Sequence, residues 1–363
     1  MSAASDIQEL ETRLVKAKAT IFVTIRALSS IALDPVIDSS AAFPPDLPLV
    51  LSNLLKSFRH STTSLALSFK PPLTIPAALQ QLDKFTNELC QASSCVLVAA
   101  SQGRAGVMLD EWRDGVMDIC TEAVRFLDVL LESAQSGASG SGNEENPYLH
   151  HTALVWDSID SLANTLSATE AEAVIRRWKM DTAVVKDAWS EFKESIEGME
   201  VASDRGADEG GKQGEAEDDD EDEDDLMDFG SDTITRTEME TVESIKPLLQ
   251  LLQILHGFLP RYMPSLDLTN GRGRAIVKCS NSFITAFDEL VCALYPEHSS
   301  AVIDDALKEV DGAVRETSEL LRAGGIGKDG LEILEKWEGK MKGEKQKWDE
   351  RRLGLGGLAD SLG

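Results

Sequence analysis

Apolar side chains along this chain recur every third or fourth residue over several helical turns, a spacing that lines one face of a helix and cannot line one face of a strand. Met108, Trp112, Val116, Ile119, Ala123, Phe126 and Leu130 form one such stripe. Ala171, Val174, Ile175, Trp178, Val185, Ala188, Trp189, Phe192 and Ile196 form a second. Ser167 and Glu170 precede it at capping-box spacing, so a helix start is predicted there. Ile276, Ser280, Phe283, Phe287, Leu290 and Leu294 give a third stripe, closed by Tyr295-Pro296 because proline cannot donate the next helical bond. Ile7, Leu10, Leu14, Ala17, Ile21, Thr24 and Leu28 give a fourth, opened by a second candidate box at Ser5 and Gln8.

Weaker helical periodicity is readable at about 47–69, 76–101, 148–166, 237–258, 298–323 and 328–350, with Pro, Gly or Asn clusters between. No segment alternates apolar and polar residues between hairpin turn signals, so no sizeable sheet is expected. The predicted fold is all-α: two antiparallel bundles of long amphipathic helices, which bury one stripe each and leave charged faces in water.

Two stretches break the pattern. Ser136 to Gly142 is a Gly/Ser run that reads as a loop. Glu215 to Asp228 holds eleven acids and no base, and self-repulsion is expected to keep such a run extended and disordered. The expected organisation is an N-terminal bundle over 1–198, an acidic linker over 199–235, a C-terminal bundle over 236–353 and a flexible tail over 354–363.

Charge narrows the function classes. The chain carries 35 Lys plus Arg against 63 Asp plus Glu in 363 residues, a net charge of −28. Nucleic-acid binding needs clustered cations facing phosphates, and an anionic membrane surface repels the same excess of acids, so neither is an expected partner. The uncharged stretches Leu89 to Gly103 and Pro247 to Pro260 fall short of the roughly 18 residues that mark a spanning helix. The N-terminus has acids where an export signal carries Lys or Arg, and five cysteines without a CxxC pair point to reduced thiols.

Candidate chemistry is sparse. The five histidines (His60, His150, His151, His256, His298) show neither HExxH nor an i,i+4 pair. Cys279, Cys292 and His298 lack a fourth ligand, and packing is the first expectation for both cysteines. No catalytic residue, metal site or cofactor is expected. Gly271-Arg-Gly-Arg274 resembles a phosphate loop but lacks its third glycine and a preceding strand, so a flexible helix lead-in is expected. Leu51 to Leu55, Leu127 to Leu131 and Leu248 to Leu252 match LxxLL, a partner-helix motif whose spacing a bundle stripe also uses; core packing is expected. Asp224-Asp-Leu-Met-Asp-Phe229 sets Leu226, Met227 and Phe229 among carboxylates, a pattern suited to filling a partner's groove as well as to a solvated linker.

Thr152-Ala-Leu-Val-Trp156-Asp, Val184-Val-Lys-Asp-Ala188, the acidic segment and Phe287-Asp-Glu-Leu-Val-Cys-Ala-Leu-Tyr-Pro296 occur in an order that resembles the cyclin-D-binding (Maid-like) family, over roughly 150–296. The resemblance implies a non-enzymatic, all-helical protein of cytoplasm and nucleus. It would bind regulatory proteins of cyclin-like or helix-loop-helix type and restrain cell-cycle progression and transcription. Arg272, Arg274 and Lys278 are too few to form a DNA-contacting basic region, which fits a titrating partner. The candidate partner surface comprises Trp156, Trp189, Leu226, Met227 and Phe229. The competing expectation, from helix length alone, is a cytoskeletal or adhesion-type bundle scaffold. Oligomeric state is not legible.

Overall fold

Proline and glycine set the helix ends. Pro48 and Pro76 sit in the first turns of their helices, where a missing N–H costs nothing, and Pro71 and Pro72 follow the end of the helix that begins at Leu47. The computed structural model describes residues 3–31, 44, 46–102, 106–135, 147–202, 233–268, 271–297 and 299–359. Among these, the helices are α1 (Ala3–Ser29), α2 (Leu47–Ser68), α3 (Ile75–Ser101), α4 (Val107–Gln135), α5 (Pro147–Thr165), α6 (Glu170–Gly198), α7 (Arg236–Phe258), α8 (Arg272–Cys292), α9 (Ser300–Ala323) and α10 (Lys328–Ala359). The all-α expectation holds. The one addition is a parallel pair of three-residue strands, β1 (Glu200–Ala202) and β2 (Thr233–Thr235), in the register Val201 to Ile234. These strands bracket the acidic segment, which lies outside the described residues.

The chain divides into two compact units, Met1–Ala173 with Thr269–Arg274, and Val174–Leu268 with Ala275–Gly363. In the first, α2 packs on α3 and α5, α4 on α3 and α5, and α1 on α3 and α4. Phe58, Phe85 and Phe126 link α2, α3 and α4, with ring centroids 4.7 and 5.9 Å apart. The stripe from Met108 to Leu130 is buried throughout, and Trp112 donates its indole N–H to the Ser167 carbonyl at 3.0 Å. Gly115 lets α5 approach: a Cβ there would stand 2.6 Å from Leu162.

The second unit departs from the expected boundary, since α6 belongs to it and not to the N-terminal bundle. The reason lies in its apolar face. Trp178 stacks on His256 of α7 at 4.4 Å and donates to that residue's carbonyl at 2.8 Å, and Phe192 meets Tyr295 edge-on at 5.8 Å. Helix α10 runs antiparallel to α7: Trp337 donates to the Leu251 carbonyl and Arg351 to the Glu240 carbonyl. It continues to Ala359, into the stretch expected as a tail from 354, because no proline or left-handed residue stops it.

Two helix starts differ in detail from the predicted boxes. Helix α6 is capped by Thr169, which accepts from the Glu172 amide at 3.2 Å, while Glu172 accepts from Ala168 N–H at 2.8 Å. Ser167 and Glu170 are turned to other work. Ser5 lies inside α1, which begins at Ala3. Helix α7 carries a complete capping box, Thr235 with Glu238, whose Thr-x-x-Glu signature is plain in the sequence but was not among the predicted starts. The Ser136 to Gly142 run lies outside the described residues except as the end of α4 is approached at Gln135.

Candidate functional site: an apolar groove between helices α6 and α7

In the second unit the last turns of α6, strand β1 and the first turns of α7 enclose a groove of about 440 Å³. Trp189, Phe192 and Ile196 come from one face of α6, Met199 and Val201 from the chain as it leaves that helix, and Met239 and Val242 from α7. Phe192, Ile196 and Val242 are buried and form the base. Trp189, Met199 and Met239 are half-buried, and Val201 is 52% exposed. The Trp189 and Phe192 rings are 6.0 Å apart, so the wall is continuous aromatic surface.

The groove is ringed by charge that is already neutralised locally. Lys193 pairs with Glu197 at 3.5 Å and Lys246 with Glu243 at 3.1 Å. The Lys193–Glu197 pair is exposed and the Lys246–Glu243 pair half-exposed, so both are worth little to stability and easily exchanged for a partner's charges. An apolar floor of that volume with a polar rim suits anchor side chains of a peptide or helix, with methionines able to repack around them.

The predicted surface residues do not fall together. Trp189 lines the groove. Trp156 belongs to the first unit, where it is half-buried under Arg59: the guanidinium lies 5.0 Å from the ring centroid and is held by Asp160 at 3.0 and 3.2 Å. Its ring face is thereby covered, and its indole N–H is buried without a partner. Leu226, Met227 and Phe229 lie outside the described residues. The groove as a whole escaped sequence reasoning because its walls come from 189–201 and 239–246, which join only on folding; the half-buried methionines Met199 and Met239 were the available signal.

Each LxxLL stretch puts two of its three leucines in the core: Leu51, Leu55, Leu127, Leu130, Leu248 and Leu252 are all at or below 1% exposure, while Leu54, Leu131 and Leu251 are half-buried. Gly271, with φ of +76°, leads into α8, and Arg274 is spent on a bidentate pair with Asp110 at 2.8 Å.

One buried cluster does hold catalytic residue types. His256 Nε2 lies 3.1 Å from Ser280 Oγ, Ser280 donates to Asp181 at 2.6 Å, and His256 Nδ1 faces Thr182 Oγ1 at 2.8 Å. A hydrolytic triad needs the carboxylate on the far ring nitrogen, orienting the base toward the serine. Here Asp181 takes the serine proton instead, and all four residues are at or below 8% exposure. Burial drives the His256 pKa down to about 3, so the ring is neutral. The cluster ties α6, α7 and α8 together. Among the described residues no group of three or more His, Cys, Asp or Glu is placed to hold a metal. Cys279 is buried, its thiol pushed up to about 12 first by burial and then by Glu316; Cys292 is exposed, and His298 is outside the described residues. No described helix is long and apolar enough to cross a membrane.

Residues 50–198 match the family model described as Grap2 and cyclin-D-interacting, N-terminal. Over this segment the chain is similar to the cyclin-D-interacting family. The match takes in α2 to α6, and so includes both Trp156 and Trp189. It begins at residue 50, well upstream of the motifs that carried the resemblance in the sequence, and stops short of Phe287 to Pro296. No curated protein matches the chain.

Proposed function

We propose that this chain is a non-enzymatic regulator that binds cell-cycle or transcription regulators, of cyclin-like or helix-loop-helix type, and thereby restrains cell-cycle progression in cytoplasm and nucleus. The observation that carries the reading is the match of residues 50–198 to the cyclin-D-interacting family. The Trp189 groove is the surface we assign to a partner: apolar burial supplies affinity there, and the strongly acidic chain supplies steering toward basic surfaces. The same net charge of −28 disfavours nucleic acid and anionic membrane as partners.

The test is capture of purified regulators by the full chain and by chains carrying Trp189→Ala or Met239→Glu. A D-type cyclin or a helix-loop-helix protein is expected to be retained by the full chain and lost with either substitution. Equal retention by all three chains would remove the groove from the account. Retention of neither regulator class by the full chain would overturn the function.

A further inference from the structure

We infer that the outer face of helix α1 pairs with the same face of a second copy of this chain, antiparallel and related by a two-fold axis, so that the protein associates with itself through its first unit. This face is separate from the Trp189 groove, and the inference stands apart from the partner assigned there. Three observations lead to this occupant.

The first is an apolar face that the bundle leaves unused. Helix α1 packs on α3 and α4, and its stripe of Leu10, Leu14, Ala17, Ile21 and Leu28 is buried. On the opposite side Val15, Phe22 and Val23 are 54, 53 and 70% exposed, and Ala19 is exposed between them. Helical spacing places these four residues on one strip about two turns long. Single exposed apolar residues are ordinary, whereas large ones gathered on one face mark a contact surface. Ala19 is small and central, so a second helix can cross there at close range.

The second is the symmetry of the strip. Val15 and Phe22 are equidistant along α1 from the midpoint between Lys18 and Ala19. In an antiparallel pair whose two-fold axis passes through that point, each Val15 stands against the partner's Phe22. A two-fold contact requires such self-complementarity, because one patch must serve both copies.

The third is charge. From Ser5 to Glu11 the helix has Asp6, Glu9 and Glu11 and no base, and from Thr12 to Ser29 it has Arg13, Lys16, Lys18 and Arg26 and no acid. Arg13 and Lys18 are engaged by Asp83 of α3 and Asp128 of α4. Glu11 and Arg26 flank the strip and have no ion-pair partner among the described residues. They too are equidistant from the midpoint between Lys18 and Ala19, so the same axis sets Glu11 against the partner's Arg26, twice over. A parallel pair would set like charges together, and only the antiparallel one also opposes the helix dipoles. The strip is far smaller than the roughly 20–30 residues a side of a standard interface, so the dimer is expected to be weak and reversible.

The test is sedimentation equilibrium of the full chain from about 1 to about 500 μM, at about 0.15 M salt to screen the net charge of each copy. The natural chain is expected to pass from one copy to two across that range. Phe22→Glu, at an exposed position, is expected to remain a single copy throughout. Glu11→Arg and Arg26→Glu should each weaken the dimer about ten-fold, because both contacts then oppose like charges. An equimolar mixture of those two variants should pair at least as tightly as the natural chain, since two arginines on one chain then face two glutamates on the other. Should Phe22→Glu disturb folding by circular dichroism, the charge variants and their mixture decide alone. A single copy at every concentration, a dimer indifferent to a folded Phe22→Glu, or a mixture no tighter than its two components would each overturn the inference. A natural chain that stays single and instead binds vesicles of anionic phospholipid through Phe22 would assign the face to a membrane and overturn it too.

Discussion

The Glu170 carboxylate accepts the backbone N–H groups of Val107 and Met108, at 2.8 and 3.0 Å, and so caps helix α4 from a residue more than sixty positions away. Gly106 makes room for it: a Cβ at that position would stand 2.6 Å from the carboxyl carbon. Glu170→Ala leaves two helix-terminal donors without their acceptor, and a loss of about 1–2 kcal/mol is expected in denaturant unfolding. Gly106→Ala should cost a similar amount by displacing the carboxylate. The double variant should cost far less than the sum, and additive losses would contradict the shared contact.

The same carboxyl group has its pKa raised, chiefly by burial, with the Val107 and Met108 N–H groups and Arg274 opposing the rise only in part. A carboxyl group whose folded pKa exceeds its unfolded one stabilises the fold below both values. That contribution declines as pH climbs from the ordinary glutamate value through the raised one. Glu170→Gln should therefore gain on the natural chain as pH rises through that window. A stability difference between the two that is flat with pH would refute this.

His256 gives the opposite slope. Its pKa falls to about 3 by burial, against 6.5 unfolded, so the neutral ring stabilises the second unit above pH 6.5 and that stability is lost as pH falls toward 3. The loss should approach about 1.4 kcal/mol per pH unit across the interval. His256→Phe should flatten this dependence, read as the difference from the natural chain. It should also cost about 1–3 kcal/mol at neutral pH, because Thr182 and Ser280 lose a buried partner. An unchanged acid slope would place the ring elsewhere.

Leu252, the last leucine of one LxxLL stretch, is 1% exposed. Leu252→Ala is expected to cost about 2–5 kcal/mol of stability, the range for a buried leucine truncated in a packed core. A variant that kept full stability and lost only partner binding would show the motif to be a recognition element after all.

Gly325 follows the C-terminus of α9 with φ of +76°, and the next residue, Ile326, donates to the Leu321 carbonyl at 3.1 Å. This is a left-handed helix stop that a side chain resists. Gly325→Ala should lower stability by about 1 kcal/mol with helical content preserved. No loss would mean that the turn relaxes.

Periodicity carried most of the fold. The weaker segments predicted at 47–69, 76–101 and 237–258 are α2 at 47–68, α3 at 75–101 and α7 at 236–258, because apolar spacing and proline act locally. What lay beyond sequence was whatever long-range contacts decide. Ser167-x-x-Glu170 has the form of a local capping box, yet Glu170 is drawn to α4 and Ser167 receives the Trp112 indole, leaving Thr169 and Glu172 to start α6. Helix α6 joined the second unit because Trp178 and Asp181 find partners on α7 and α8, which spacing along α6 alone does not reveal. Of the surface, Trp189 was named from its stripe, whereas Met199, Val201 and Met239 became a site only when β1, leaving α6, paired with β2 at the start of α7.

The central claim is that the chain acts by holding a regulatory protein in the Trp189 groove. Titration calorimetry of the purified full chain with a purified D-type cyclin or helix-loop-helix regulator tests it most directly, alongside Met239→Glu as the groove variant. The account predicts saturable binding by the natural chain and at least about a ten-fold weakening with the substitution, equivalent to about 1.4 kcal/mol, with the circular dichroism of the two proteins alike. Absence of heat with both regulators, or equal affinity for the natural and substituted chains, would contradict it.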